Sequence, residues 1–362
     1  MTILSNRPSC SPSVQRTGHG HAIVSVLSLL FLAMPIWAQK GSITDQGHPS
    51  LCTDTPNSDH PKALLSNGTL DALVFLPDAE RGYYRASRFD WSGVVGCVSY
   101  NGHKIFGEWF PKYDPLVNDS ITGPVEEFRS SDGAIGYSDA KPGDLFVKPG
   151  VGVLRKVDDK PYKFGFTYPL VDSGKWTVRV KQRSVTFTQR LKGPRGIAYV
   201  YEKTLELDGA VLTLEHRLKN VGQKTIQTDV YDHDFFMFDG HPTGPGMIIR
   251  FPFKPELETP LAPAARVEGN NIAYQEELQP RQTVASYIKG YSNKAADYNI
   301  TIEDSNTRIG VQQTSDSPIS RFYLWSIRST VSPEAYIHLD IPPGKTGRWT
   351  IHYRFFPLSS LP

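Results

Sequence analysis

Short stretches in which apolar and polar residues alternate follow one another along the chain from about residue 60 onward. Clear examples cover residues 176–191, 196–220 and 347–356, with the sequences WTVRVKQRSVTFTQRL, GIAYVYEKTLELDGAVLTLEHRLKN and GRWTIHYRFF. A period of two places every second side chain on one face of a strand, so each stretch predicts half-buried β-structure. No window keeps an apolar stripe at helical spacing for more than about two turns. The pattern predicts an all-β fold with few, short helices.

Turn-forming residues separate these stretches without clustering into a linker. The chain contains 28 prolines and 30 glycines, and the sequence LDG at 207–209 predicts a hairpin turn between two strands of nearly equal length. We predict a single β domain over residues 61–357. An irregular segment over residues 39–60 should precede it, and a loose tail over residues 358–362 should follow it.

The first 38 residues have the pattern of a secretory signal peptide. An apolar run over residues 21–38, HAIVSVLSLLFLAMPIWA, follows a segment that carries Arg7 and Arg16 and no acidic residue, and it ends on the small residue Ala38. The alternative is a transmembrane anchor, but the run is shorter than the roughly 20 apolar residues that a span usually needs. We predict cleavage after Ala38, a secreted or periplasmic location and no stable membrane span in the mature chain.

Cleavage would remove Cys10 and leave Cys52 and Cys97 as an even pair of cysteines. Disulfides persist outside the cytoplasm, so a Cys52–Cys97 bridge is predicted. The bridge would tie the irregular N-terminal segment to the first apolar strand and remove loop entropy from the unfolded chain. Neither cysteine has a nearby histidine or a C-x-x-C spacing, so no catalytic thiol is expected.

The charge balance excludes one class of partner. Lysine and arginine number 39 and aspartate and glutamate 37, for a formal net charge of +2. No block of like charges provides the basic field that a phosphate backbone attracts, so no nucleic-acid partner is expected. No cofactor is expected either.

Two segments carry a resemblance to a known family. Residues 212–240, LTLEHRLKNVGQKTIQTDVYDHDFFMFDG, contain an Asn-x-Gly turn, a second strand and a histidine followed by aromatics, and residues 341–356, IPPGKTGRWTIHYRFF, contain a Pro-Gly turn and a closing strand. In this order and spacing they resemble the signature of the aldose 1-epimerases, or galactose mutarotases. The resemblance implies a β-supersandwich that binds a mono- or oligosaccharide on a polar, concave sheet surface.

The resemblance also implies a role for one histidine. His233 matches the family's general acid, and ring opening of a sugar needs such a group beside a base. Strand alternation places Tyr231, His233 and Phe235 on one face and Asp232 and Asp234 on the other. The two aspartates are candidate substrate-binding residues if a β-bulge in the strand moves one of their side chains to the face of His233. Adjacent residues on a strand diverge, so the Asp-His-Asp triplet predicts no metal site.

The partner of His233 is less apparent in the sequence. The family's glutamate on the penultimate strand would fall near residues 325–328, which contain no acid. Glu334 is the nearest carboxylate and the first candidate base, although its place after a proline also fits an acid on a surface loop. Glu126 and Glu127 follow a Gly-Pro turn and are the other catalytic candidates.

A third segment combines aromatic and charged residues. Residues 81–93, RGYYRASRFDWSG, bring together rings that stack on sugar faces and groups that bind hydroxyls. The candidate substrate-binding residues here are Tyr84, Arg85, Arg88, Asp90 and Trp91. Weaker candidates elsewhere are Lys148, Lys163 and His216.

Three functions are compatible with this sequence. The first is an aldose 1-epimerase-like enzyme that acts near the anomeric centre through His233. The second is a polysaccharide lyase or glycoside hydrolase that uses residues 81–91 with Glu126 and Glu127. The third is a non-catalytic carbohydrate-binding protein, because one fold supports all of these functions.

Overall fold

The computed structural model describes residues 50–359. The predicted signal peptide and residues 39–49 of the irregular segment lie outside the described residues. The strands, in chain order, are β1 Lys62–Ser66, β2 Leu70–Phe75, β3 Val94–Tyr100, β4 His103–Ile105, β5 Val125–Arg129, β6 Leu145–Lys148, β7 Gly152–Arg155, β8 Leu170–Asp172, β9 Lys175–Val180, β10 Ser184–Lys192, β11 Ala198–Asp208, β12 Val211–Asn220, β13 Ile226–His233, β14 Met247–Arg250, β15 Glu256–Leu257, β16 Ala265–Glu268, β17 Asn271–Tyr274, β18 Thr283–Lys289, β19 Asn299–Asp304, β20 Ile309–Ser315, β21 Arg321–Ile327, β22 Thr330–Ile341 and β23 Thr346–Pro357.

The helical content of residues 50–359 is limited to two single 3₁₀ turns, Leu51–Asp54 and Ala295–Asp297. The predicted all-β class with few, short helices is therefore confirmed. Neither turn has the length or the apolar character needed to cross a bilayer.

The strands of residues 50–359 form four antiparallel sheets. The largest has ten strands in the order β16-β17-β14-β19-β20-β23-β12-β11-β10-β9, and the second has six in the order β15-β18-β21-β22-β13-β5. A four-stranded sheet, β1-β2-β3-β4, and a three-stranded sheet, β6-β7-β8, are the other two. Every paired strand runs antiparallel to its neighbour, which short connections rich in glycine and proline allow.

The ten-stranded and six-stranded sheets pack face to face. On β11 and β12 buried residues alternate with more exposed ones over nearly the whole strand, as the sequence pattern predicted. Phe128 of β5 packs edge-on against Tyr201 of β11 and Trp349 of β23, with ring centroids 5.4 Å and 6.0 Å away. The even-numbered residues of β5 and β13 therefore point their side chains towards the ten-stranded sheet, and the odd-numbered residues point theirs away from it.

The predicted hairpin at residues 207–209 is present. Asp208 pairs with Val211, so Gly209 and Ala210 form a two-residue loop between β11 and β12. Gly209 has a φ of +51°, a left-handed conformation that glycine adopts without a Cβ clash. The loop holds strands of 11 and 10 residues in register, as the nearly equal lengths in the sequence indicated.

The predicted disulfide joins Cys52 of the first 3₁₀ turn to Cys97 of β3. Both side chains are fully buried, and the Cα atoms lie 5.6 Å apart. The bridge anchors the start of the described chain to the four-stranded sheet.

Replacing both cysteines by serine should lower the free energy of unfolding by about 2–4 kcal/mol, because a loop this long gains entropy when it is opened. The bridge closes a separation of 45 residues. Guanidinium titrations of the oxidised wild type and of C52S/C97S measure the difference, and reduced wild type, which should match the variant, is the control. Equal midpoints for all three samples would show that the bridge contributes nothing to stability.

Candidate functional site

A cavity of about 310 Å³ stands on the face of the six-stranded sheet that points away from the ten-stranded sheet. Strands β18, β21, β22, β13 and β5 form its floor, and loops supply its walls. Its lining is rich in aromatic and charged residues: Arg88, Trp109, Asp119, Arg129, Phe164, Tyr231, His233, Phe235, Tyr287, Tyr323, Trp325, Glu334 and Tyr336. Aromatic faces and charged groups together suit a ligand with both apolar faces and hydroxyl groups.

His233, the last residue of β13, lies at the base of this cavity. Its ring stacks on Phe235, with centroids 3.7 Å apart and planes at 10°, and meets the edge of Trp325 at 5.3 Å. Nε2 lies 3.3 Å from Oε1 of Glu334, whereas Nδ1 has no hydrogen-bond partner among the described residues. Burial of the imidazole and, to a smaller extent, the positive charge of Arg88 hold the pKa of His233 well below its usual range. The imidazole is therefore neutral at neutral pH.

The backbone around His233 is shaped by two exceptional residues. Phe235 has a φ of +49°, in the left-handed region that non-glycine residues avoid, and this turn brings its ring back under the imidazole. Gly123 packs against the same segment so closely that a Cβ on it would lie 2.3 Å from the carbonyl oxygen of His233. Both features fix the position of the imidazole ring.

Glu334 lies in the interior of β22, with only 3% of its surface exposed. Oε2 accepts a hydrogen bond from the hydroxyl of Tyr336 at 3.3 Å. The alternative of an acid on a surface loop is thus wrong. β22 continues through Pro333, which pairs with Leu324 of β21 and lies beyond the end of the β13–β22 ladder at Val230 and Ile337, so its missing N–H group is not needed by that ladder. Burial raises the pKa of Glu334 to about 8, although the charge of Arg88 opposes the shift.

Glu127, on β5 beside Tyr231, is an ion held by three donors. Tyr231 donates its hydroxyl to Oε2 at 2.5 Å, and Arg88 Nε donates to the same oxygen at 2.9 Å. Lys148 Nζ donates to Oε1 at 3.0 Å. Burial alone would raise the pKa of Glu127, but the charges of Lys148 and Arg88 outweigh it and hold the pKa well below its usual range. A carboxylate so fully engaged positions its neighbours and is a poor proton acceptor.

Arg88 connects Glu127 to the cavity wall. Its guanidinium stacks on Phe89 at 4.4 Å and on Phe164 at 4.6 Å, and Nη1 donates to Asp119 at 2.5 Å. Planar stacking and bidentate donation are the interactions for which arginine is suited. Arg88 is the one residue of the aromatic segment 81–93 that lines the cavity among those predicted to bind substrate.

The other predicted residues of that segment lie elsewhere. Asp90 is 1% exposed and accepts from Ser92 and Tyr201, and burial raises its pKa to about 6. Trp91 is 2% exposed and donates Nε1 to the carbonyl of Ala86. A sugar in the cavity cannot reach these side chains, so the structure gives their predicted binding roles no support.

Tyr84 and Arg85 are also outside the cavity lining. Tyr84 is 2% exposed and donates its hydroxyl to the carbonyl of Asn118, which fixes the wall loop that carries Asp119. The backbone N–H of Arg85 donates to the carbonyl of Pro115. Both residues contribute to the shape of the wall, and neither of them is positioned to contact a ligand there.

Glu126 points to the opposite side of the sheet from Glu127, so its predicted catalytic role is not supported. It is fully buried between the two large sheets, where it pairs with Lys203 and lies 2.7 Å from Nε2 of His216. Burial alone would raise the pKa of Glu126, but Lys203 and His216 lower it to about 2. Strand alternation separates the two adjacent glutamates.

Asp232 and Asp234 belong to the same interior region, as the alternation predicted, and no bulge brings either of them to the cavity. The hydroxyl of Tyr353 lies 2.6 Å from a carboxyl oxygen of each. Burial, followed by the charge of Glu126, raises the pKa of Asp232 to about 8, and burial raises that of Asp234 well above its usual range. One hydroxyl can donate to only one carboxyl, so the raised pKa values fit the geometry. Their predicted substrate-binding role has no support.

Strand spacing could have revealed part of the lining that the sequence analysis missed. Tyr336 lies two positions after Glu334 on β22, and Arg129 lies two positions after Glu127 on β5, so each shares a face with a glutamate that the sequence analysis named. Tyr323 and Trp325 alternate on β21 in the same way. The residues Trp109, Asp119 and Phe164 reach the cavity from loops, and no local pattern places them there.

The sequence and the fold of this chain were compared with those of known proteins. No protein-family model matches the sequence, and no curated protein is significantly similar to it. Three solved structures with similar folds are an aldose 1-epimerase candidate from Escherichia coli (TM-score 0.53, 14% identity, 82% of this chain and 99% of that chain), a GalM/aldose epimerase homologue from C. elegans (0.51, 14%, 82% and 100%) and a galactose mutarotase-like protein from Clostridium acetobutylicum (0.51, 12%, 82% and 95%). The chain therefore has the β-supersandwich fold of the aldose 1-epimerase and galactose mutarotase-like proteins, as its sequence motifs predicted.

Proposed function

We propose that the protein is a carbohydrate-active enzyme that interconverts the anomers of a monosaccharide, with His233 and Glu334 as its proton-transfer pair. The observation that carries the proposal is the 3.3 Å separation of His233 Nε2 and Glu334 Oε1 at the base of an aromatic-lined cavity. The names of the structural neighbours, aldose epimerases and galactose mutarotase-like proteins, support the same class of substrate.

The closeness of the pair suits the chemistry of ring opening. The anomeric hydroxyl must lose a proton while the ring oxygen gains one, and both oxygens are bonded to the same carbon. An acid and a base that serve them must therefore lie side by side, within hydrogen-bond reach of neighbouring atoms. His233 and Glu334 come from adjacent strands of one sheet, which holds them in that relation.

The pKa shifts favour one distribution of protons. His233 is neutral and Glu334, with a pKa of about 8, retains its proton at neutral pH. Glu334 then protonates the ring oxygen as His233 Nε2 accepts the proton of the anomeric hydroxyl, and the bond between C1 and the ring oxygen breaks. Rotation of the open-chain aldehyde and the reverse transfers restore the ring and both residues. These roles are the opposite of those that the sequence suggested, in which His233 was the acid and Glu334 the base.

The aromatic lining supports the substrate class. The side chains of Trp109, Trp325, Tyr287 and Tyr323 line the cavity and are each partly exposed, so a pyranose ring can stack on them through its apolar faces. Partial exposure distinguishes these residues from the fully buried rings of the core. The cavity of about 310 Å³ is of the size that suits a small ligand.

The proposal is tested by following anomer equilibration. Freshly dissolved α-glucose or α-galactose is monitored by NMR in the presence and absence of protein, and catalysis appears as a rate above that of buffer. The non-catalytic alternative requires sugar binding without such acceleration. Lyase or hydrolase activity would instead release unsaturated products or reducing ends from polysaccharides. Glu127 is occupied by three donors and Glu126 faces the interior, so the carboxylate pair of that alternative is not supported.

The equilibration rate should depend on pH in one direction. Glu334 acts in its protonated form, so the rate should be maintained below pH 8 and fall as the pH rises through about 8. His233 acts unprotonated, and its lowered pKa keeps it so well into the acid range. The measurement is the buffer-corrected rate between pH 5 and pH 9.5, and a rate that rises through pH 8 would contradict the assigned roles.

A further inference from the structure

Arg129 is the cation of the cavity that has no acidic partner in the described chain. It follows Glu127 by two positions on β5 and lines the cavity together with Tyr231 and Tyr336. Within residues 50–359 its guanidinium forms no ion pair, and it stands 5.5 Å from the ring of Phe164. The side chain is partly exposed, so the cavity gives access to it.

The acids nearest to Arg129 are already engaged. Asp229, its partner in the β5–β13 register, accepts from Nδ1 of His338 at 2.8 Å and pairs with Arg321 at 3.4 Å. The oxygens of Glu127 accept from Arg88, Lys148 and Tyr231. Both carboxylates are therefore engaged by other cations, and neither forms an ion pair with Arg129.

The charges around the cavity leave one positive charge unbalanced. Arg88 and Lys148 are paired with Glu127 and Asp119, two cations with two anions. Glu334 carries no charge at neutral pH, because burial raises its pKa to about 8. A cation that is partly desolvated and unpaired attracts an anionic group of the ligand more strongly than an exposed one would.

We propose that the sugar held in this cavity is acidic, with an anionic substituent that pairs with Arg129 while the anomeric centre lies at His233 and Glu334. This inference rests on the proposed sugar site and specifies its substrate class. The anionic group is a carboxylate, as in a hexuronate, or a phosphate, and a guanidinium binds either of them bidentately. Arg129 is then a residue that determines specificity and takes no part in the proton transfers.

Matched ligands isolate the anionic group. D-Galacturonate and D-glucuronate differ from D-galactose and D-glucose only at C6, and the corresponding 6-phosphates form the third arm. Affinities of the full-length protein are measured by calorimetry at low and moderate salt. A charge-assisted hydrogen-bonded pair should give the acidic ligand a preference of about tenfold or more, and added salt should reduce it.

Substitution of Arg129 tests the assignment directly. R129M should reduce the ratio of acidic to neutral affinities to about one, and R129K should retain an intermediate ratio. R183M removes one positive charge from an exposed turn between β9 and β10 and should leave the ratio unchanged. In the wild type, the ratio of acidic to neutral affinity is compared between the hexuronates and the 6-phosphates. The larger of the two ratios identifies the anionic group as a carboxylate or a phosphate.

Equal affinities for acidic and neutral sugars, or equal losses of both in R129M, would overturn the inference. The binding measurement does not depend on turnover. If acidic sugars bind more tightly than neutral ones because of Arg129, but the protein does not accelerate anomer equilibration, the inference about the acidic substrate stands and the proposed enzymatic function is wrong. Equilibration of neutral and acidic sugars at equal kcat/KM, unaffected by R129M, would do the reverse.

Discussion

Glu334→Gln and His233→Gln should each reduce anomer equilibration by about 10²–10⁴-fold, the contribution of a positioned general acid or base. Glutamine approximates the shape of glutamate and cannot supply a proton in place of the buried carboxyl group, which faces His233 at 3.3 Å. Because the two residues carry out their proton transfers in one concerted step, the double variant should be little slower than either single variant. Buffer-corrected NMR rates at pH 7 measure all three.

Tyr336→Phe provides the matched control for these two variants. It removes only the hydroxyl that donates to Glu334 Oε2 at 3.3 Å, so the carboxyl group remains. We expect a much smaller loss of rate and an upward displacement of the pH at which activity falls, because the hydroxyl lowers the pKa of Glu334. Full activity of E334Q with normal sugar binding would remove Glu334 from the mechanism.

Lys203→Met should lower the free energy of unfolding by about 3–5 kcal/mol, the cost of leaving one member of a buried ion pair without its partner. Lys203 and Glu126 are both fully buried between the large sheets. Without Lys203, His216 is the one ion-pair partner that Glu126 keeps among residues 50–359, with Nε2 at 2.7 Å. Denaturant titrations at pH 7 measure the loss.

A double substitution separates the ion pair from packing. In K203M/E126Q the charges are removed together, so most of the lost stability should return. Lys219→Met, at an exposed position on β12, should change stability by no more than about 0.5 kcal/mol. If K203M lowers the free energy of unfolding by less than about 1 kcal/mol, water or a structural rearrangement stabilises the charge of Glu126 in the absence of Lys203.

Local patterns in the sequence account for much of this molecule. The alternation of polar and apolar residues determines the faces of β13, so the sequence alone assigns Tyr231 and His233 to one face and Asp232 to the other. The Cys52–Cys97 bridge followed from the even cysteine pair, and it is present. The residues around Asn220-Val221-Gly222 and His233 were sufficient to indicate the galactose mutarotase-like fold.

The partner of His233 could not be derived in the same way. Glu334 lies 101 positions later in the chain and next to a proline, where local rules favour a loop. Only the pairing of β22 with β13 brings it opposite the imidazole. Glu126 and Glu127 show the same dependence, because adjacent glutamates differ in role only through what packs on each side of β5.

The sequence by itself determined the strand periods, the turns, the cysteine pair and the histidine that matches the family signature, because each of these depends on residues close together along the chain. Tertiary structure alone decided which carboxyl group meets His233, which acids are neutralised in the interior and which arginine of the cavity has no acidic partner within residues 50–359. These properties depend on burial and on charges brought together from distant strands, and such interactions have no signature at fixed spacing.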